Sequence, residues 1–134
     1  MTDCIFCKIV TGELDSHCIY EDNLFKVILD KFPASAGHAL ILTKAHYENV
    51  YELNEAEANA IGSVMVKISK LLMEKLDCDG LNVVQNNGRV AGQIVDHYHM
   101  HIVPRYENDG IVMKSVTKNP TDEMFREVVE KLGL

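Results

Sequence analysis

The sequence predicts an α+β fold: a five-stranded, mainly antiparallel sheet, one long helix and a C-terminal helix. Three observations carry this. Strand-length apolar runs succeed one another across turns too short for a parallel crossover. One long stretch repeats its apolar residues every three or four positions. Strands and helices do not alternate regularly, which disfavours the α/β classes. A length of 134 residues matches a single domain over 1–134, large enough to bury a core without disulfides.

Each element has its own warrant. Lys8 to Thr11 has room for a turn of helix, stopped by Gly12. Cys18-Ile19-Tyr20-Glu21 reads as a short strand, and Glu21-Asp22-Asn23 as a turn. From Leu24 to Asp30, Phe25, Val27 and Leu29 alternate with Lys26, Ile28 and Asp30, the pattern of a strand. Pro33 and Gly37 mark a loop, and His38 to Lys44 is an apolar third strand. Asn54 with Glu57 resembles a capping box. Behind it Ile61, Val64, Met65, Ile68, Leu71, Leu72 and Leu76 form one stripe of a helix that ends over Asp77 to Gly80. Gly62 inside this helix is expected to mark close packing against the sheet or a second subunit. Leu81 to Gln85 is the fourth strand, residues 86–93 a polar loop with two glycines, and Tyr98 to Val103 the fifth strand. Thr121 caps a last helix to about Leu132, with Met124, Phe125, Val128, Val129 and Leu132 on its apolar side.

Composition narrows the function. A formal charge of −7 argues against a surface that tracks nucleic-acid phosphates, but leaves room for a pocket holding one nucleotide. No apolar stretch reaches membrane-spanning length and no secretory signal is apparent, so a cytoplasmic protein with no membrane partner is expected. Of the four cysteines, Cys18 and Cys78 have no paired spacing and are expected to be buried thiols. Cys4-Ile5-Phe6-Cys7 is a CxxC pair. It reads as half of a zinc site, against a redox pair or two plain thiols, because no strand precedes it as a thioredoxin-like motif requires.

The most informative run is His97-Tyr98-His99-Met100-His101-Ile102-Val103-Pro104. On a strand, alternate residues share a face, so the three imidazoles would align and Tyr98, Met100 and Ile102 would face the core. Three buried imidazoles need partners, which points to a metal site, a catalytic site or both. One ion held by all three is disfavoured, since residues i to i+4 on a strand span about 13 Å.

This run, preceded by Asn86 and by Ala91-Gly92-Gln93, resembles the signature of the histidine-triad (HIT) family. Cys4 to Ile9, Asp30 and Gly37 to His46 fit the zinc-bearing bacterial branch in the same order. The resemblance implies the HIT α+β fold, a homodimer, and cleavage at the α-phosphate of purine (AMP-type) nucleoside phosphoramidates or dinucleoside polyphosphates. It makes His99 the nucleophile that forms a nucleotidyl-histidine, and His101 a phosphate and leaving-group contact. Asn86, Gly92 and Gln93 would bind the α-phosphate, Asp30 the ribose diol, and Phe6, Ile9 and Leu29 the base. It completes a structural zinc site of Cys4, Cys7, His46 and His97. His17 is expected to be exposed and His38 to be a satisfied strand histidine. Where many phosphoramidase-type members carry Ser or Thr after the loop glutamine, this chain has Ile94. A nucleotide-binding adaptor without catalysis is the alternative, against which the presence of His99 speaks.

Overall fold

The computed structural model describes residues 3–133. Five strands form one sheet in the order β1-β2-β3-β5-β4, with every adjacent pair antiparallel. They are β1 (Cys18–Glu21), β2 (Phe25–Leu29), β3 (Ala39–Thr43), β4 (Gly80–Val84) and β5 (His99–Arg105). The helices are α1 (Ile5–Thr11), α2 (Glu55–Leu76) and α3 (Asp122–Lys131). No described helix is long and apolar enough to cross a membrane.

Register sorts the side chains. Phe25, Val27, Ala39, Ile41 and Ile102 lie on one face and pack under Val64, Ile68 and Leu72 of α2. Full burial of Phe25, Ile41 and Ile102 contributes about 1.5–3 kcal/mol each. Ile28, Leu40 and Leu42 occupy the other face beneath Phe6 and Ile9 of α1. Directly opposite residues of an antiparallel pair share a face. Leu40 pairs with His101 and Leu42 with His99, so both imidazoles stand on the α1 side.

Several expectations are corrected. α1 begins at Ile5, because the Cys4 sulfur accepts from the Cys7 N–H at 3.3 Å and caps it. β5 begins at His99, so His97 precedes the strand, in a bend closed by its N–H to the Val95 carbonyl. The capping box does not close: the Asn54 side chain bonds nothing at the helix start, and Glu57 is buried against the Tyr47 hydroxyl at 2.9 Å. A Cβ on Gly62 would meet nothing within 4 Å, so that glycine does not mark contact with the sheet. Cys18 is exposed, because it sits on the edge strand beside a bulge. The α3 cap forms as expected, Thr121 accepting from Met124, yet Met124, Phe125, Val128 and Val129 all remain exposed.

Candidate active site and metal centre

Between α1 and the exposed side of the β2–β3–β5 surface lies a cavity of about 730 Å³. His99, His101, Asn86, Gly92, Asp30, Leu29, Phe6 and Ile9 line it, eight of the nine expected nucleotide-binding residues. Gly92 has φ of +97°, and a Cβ there would lie 3.3 Å from the Asn86 amide nitrogen, so a side chain would press on Asn86. Gln93 is the exception. It is 2% exposed; its amide N–H groups donate to the Glu48 and Val95 carbonyls and its oxygen accepts from Gly88 N–H. Those backbone groups need partners, so Gln93 braces the loop instead of offering its amide to a ligand. Ile94, 78% exposed, stands at the cavity mouth.

Hydrogen bonding decides the histidine tautomers. His99 Nδ1 lies 2.7 Å from the His97 carbonyl, which only accepts, so Nδ1 carries the proton and Nε2 holds a lone pair. His38 Nδ1 accepts the Ala34 N–H at 3.0 Å, which places the His38 proton on Nε2. That nitrogen lies 3.0 Å from His101 Nδ1 and 3.5 Å from the Asp30 carboxylate. His101 Nδ1 is then the acceptor, and its Nε2–H has no partner among the described residues. A lone pair and a donor thus sit side by side on rings 5.0 Å apart. Sequence reasoning missed His38 as part of this chain; only the β3–β5 register, which pairs Leu40 with His101, brings it alongside.

Burial pushes the His99 and His38 pKa values down. Burial, then the neighbouring His99 and His38 rings, pushes His101 to about 4. Between pH 6.5 and about 4 the unfolded chain therefore binds a proton that the folded chain rejects, so stability falls with pH in that window. Against His101→Asn, the wild type loses about 1–2 kcal/mol across the window once the ring's partial solvent access is allowed for. Urea denaturation of both proteins at pH 7 and pH 4.5 checks this; a constant difference refutes it.

Behind Phe6, which contacts the His99 and His97 rings edge-on, four ligand atoms converge. Cys4, Cys7, His46 and His97 place theirs within 4.8 Å of one another. Cys4 Sγ and His97 Nδ1 are 3.3 Å apart, Cys7 Sγ and His46 Nδ1 3.2 Å, and the two Nδ1 atoms 3.2 Å. A tetrahedron with bonds of about 2.0–2.3 Å leaves its ligand atoms about 3.3–3.8 Å apart, so the set fits an ion. His97 Nε2 donates to the Thr43 carbonyl at 2.7 Å, which leaves the Nδ1 lone pair for a metal. The cluster could hold a metal ion in a closed site with no position open to substrate. Burial and the Cys4 sulfur raise the Cys7 thiol to about 11, a penalty that a bound cation would relieve.

Residues 11–108 match the HIT domain family. An uncharacterized HIT-like protein of Methanocaldococcus jannaschii is 44% identical over 93% of this chain and 98% of its own. An adenylylsulfatase of Arabidopsis thaliana is 41% identical over 80% of this chain and 54% of its own, and an adenosine 5′-monophosphoramidase of Schizosaccharomyces pombe 40% over 76% and 74%. A Bacillus subtilis HIT family crystal structure superposes with TM-score 0.88 at 36% identity, over 98% of this chain and 95% of that one. A zinc-bound histidine-triad protein of Mycobacterium smegmatis superposes with TM-score 0.77 at 31% identity, over 98% and 96%.

Proposed function

Because the chain belongs to the HIT domain family, we propose that it hydrolyses nucleoside phosphoramidates or dinucleoside polyphosphates at the α-phosphate. The observation that carries this reading is the His99 Nδ1 bond to the His97 carbonyl, which aims the Nε2 lone pair at a substrate. His99 Nε2 attacks phosphorus and the P–N or P–O bond to the leaving group breaks. His101 Nε2–H hydrogen-bonds the departing atom, which leaves as a phosphate or, from an N-protonated phosphoramidate, as the neutral amine. Water then attacks the phosphorus of the nucleotidyl-histidine, its proton passes to bulk solvent, and His99 departs as the neutral imidazole with its Nδ1 proton kept. His38 and Asp30 are positioning residues that keep the His101 donor facing the cavity. Asn86 and the Gly92 backbone bind the phosphate, Asp30 the ribose diol, and Phe6, Ile9 and Leu29 wall the base.

The metal is assigned as zinc, from its sulfur and imidazole donors. When bound, it supplies a structural crosslink between α1 and the approach to β5. A homodimer completes the reading. Val66 and Met73 of α2 are exposed, and a groove of about 690 Å³ between α2 and β4 holds Ser69, whose buried hydroxyl has no partner among the described residues. A second copy there would cover both.

The test is turnover of an adenosine 5′-phosphoramidate and of a diadenosine polyphosphate, with acid-quenched trapping of the nucleotidyl-enzyme. Tight AMP binding with neither substrate consumed would establish the adaptor instead. Sedimentation velocity giving only monomer would remove the dimer.

A further inference from the structure

The sheet measures the cavity. His101 pairs with Leu40, Leu40 with Ile28, and Ile28 with Cys18, so one straight row crosses β5, β3, β2 and β1. Three strand spacings separate its ends by roughly 14 Å. The chemistry lies at the β5 end. At the β1 end the wall is Asp15-Ser16-His17, held beside β2 by the Leu29 N–H to the His17 carbonyl at 2.9 Å. A nucleotide with its phosphate on His99 and its ribose at Asp30 crosses the sheet obliquely from β5 to the end of β2, and a base carried on beyond the ribose would meet that tripeptide.

The three side chains differ in what they discriminate. A serine hydroxyl and a neutral imidazole each donate and accept, so they suit any base edge. An ionised carboxylate only accepts. Asp15 makes no ion pair or side-chain hydrogen bond with another described residue, so its oxygens are available. Guanine presents N1–H and the 2-amino group side by side, two donors matched to one carboxylate. Adenine presents one amino donor beside the N1 lone pair, which a carboxylate repels. Lys31 lines the same cavity and only donates, which suits guanine O6 and opposes the adenine 6-amino group.

We infer that Asp15 is a base-specificity residue that makes guanine nucleotides the preferred substrates. This rests on the reading of the site as a nucleotidyl-histidine hydrolase. The test compares kcat/KM for guanosine and adenosine 5′-phosphoramidates, and equilibrium binding of GMP and AMP, in the wild type, Asp15→Ala and Asp15→Asn. The wild type favours guanosine by about tenfold or more, since leaving a built hydrogen-bonding group unpaired is strongly discriminating. Asp15→Ala brings the ratio near unity, chiefly through KM. Asp15→Asn, whose amide offers one acceptor and one donor, shifts it toward adenosine. Asp15 is exposed, so neither variant disturbs packing. A wild-type ratio of one, or a ratio unmoved by both substitutions, overturns the inference while leaving the hydrolase intact. Selective GMP binding that depends on Asp15, with no turnover of either substrate, upholds the base assignment and removes the hydrolase.

Discussion

Replacing His99 with alanine lowers kcat for a nucleoside 5′-phosphoramidate by at least about a thousandfold and leaves KM within a few-fold of wild type. The covalent route divides one displacement into two, and only His99 combines a lone pair on Nε2 with a proton anchored on the His97 carbonyl. Its neighbour cannot substitute. His101 holds the opposite tautomer, because His38 donates to its Nδ1. The cavity wall survives in the variant: Phe6 already fills the space beside the ring, and Asn86, Asp30 and the Gly92 backbone do not depend on it. Binding is therefore retained while chemistry is lost, the pattern of a group that acts in the transition state. Residual turnover comes from direct water attack assisted by His101. Steady-state kinetics with acid-quenched trapping reads both effects. A His99→Ala rate within a few-fold of wild type, or an intact trapped intermediate, refutes the nucleophile.

Period-two and period-3.6 patterning made the strands and α2 legible, because burial on one face is a local property of sequence. What escaped the sequence depends on pairing. His38 reads as an ordinary strand histidine until β3 lies against β5 and sets it beside His101. The alternation alone does not set His97 apart from the triad; the resemblance does, and Cys4 and Cys7, some ninety positions away, stand against its Nδ1. Gln93 looked like a phosphate donor beside Gly92, but the loop's backbone groups claimed both ends of its amide. In α3 the amphipathic pattern forms its helix, yet Met124, Phe125, Val128 and Val129 stay exposed, because a helix's apolar face does not specify what covers it. The cluster of Cys4, Cys7, His46 and His97, by contrast, came from resemblance and stands assembled in the fold.

Loss of one metal ligand has the largest expected effect on stability. Cys4→Ala removes a ligand and also the sulfur that caps α1, and a lost cap alone costs about 1 kcal/mol. A bound metal would contribute more. Its site ties α1 to the His46 loop and to the bend before β5, joining segments up to 93 positions apart. Binding to a set that exists only in the folded chain is folding free energy. A loss of several kcal/mol lowers Tm by on the order of 10 °C or more for a domain of this length. The cap and the metal are separable by a cycle: EDTA lowers the Tm of the wild type by most of that amount but does nothing further to Cys4→Ala. Activity at 25 °C falls less than in His99→Ala. Phe6 loses its fixed place against His99, and the His97 carbonyl that orients the nucleophile gains freedom, while His99 itself remains. Elemental analysis gives one zinc per wild-type chain and a large deficit in Cys4→Ala and His97→Ala. Undiminished zinc in either variant, or a chelator-sensitive Tm that survives in Cys4→Ala, means that the ion is held elsewhere.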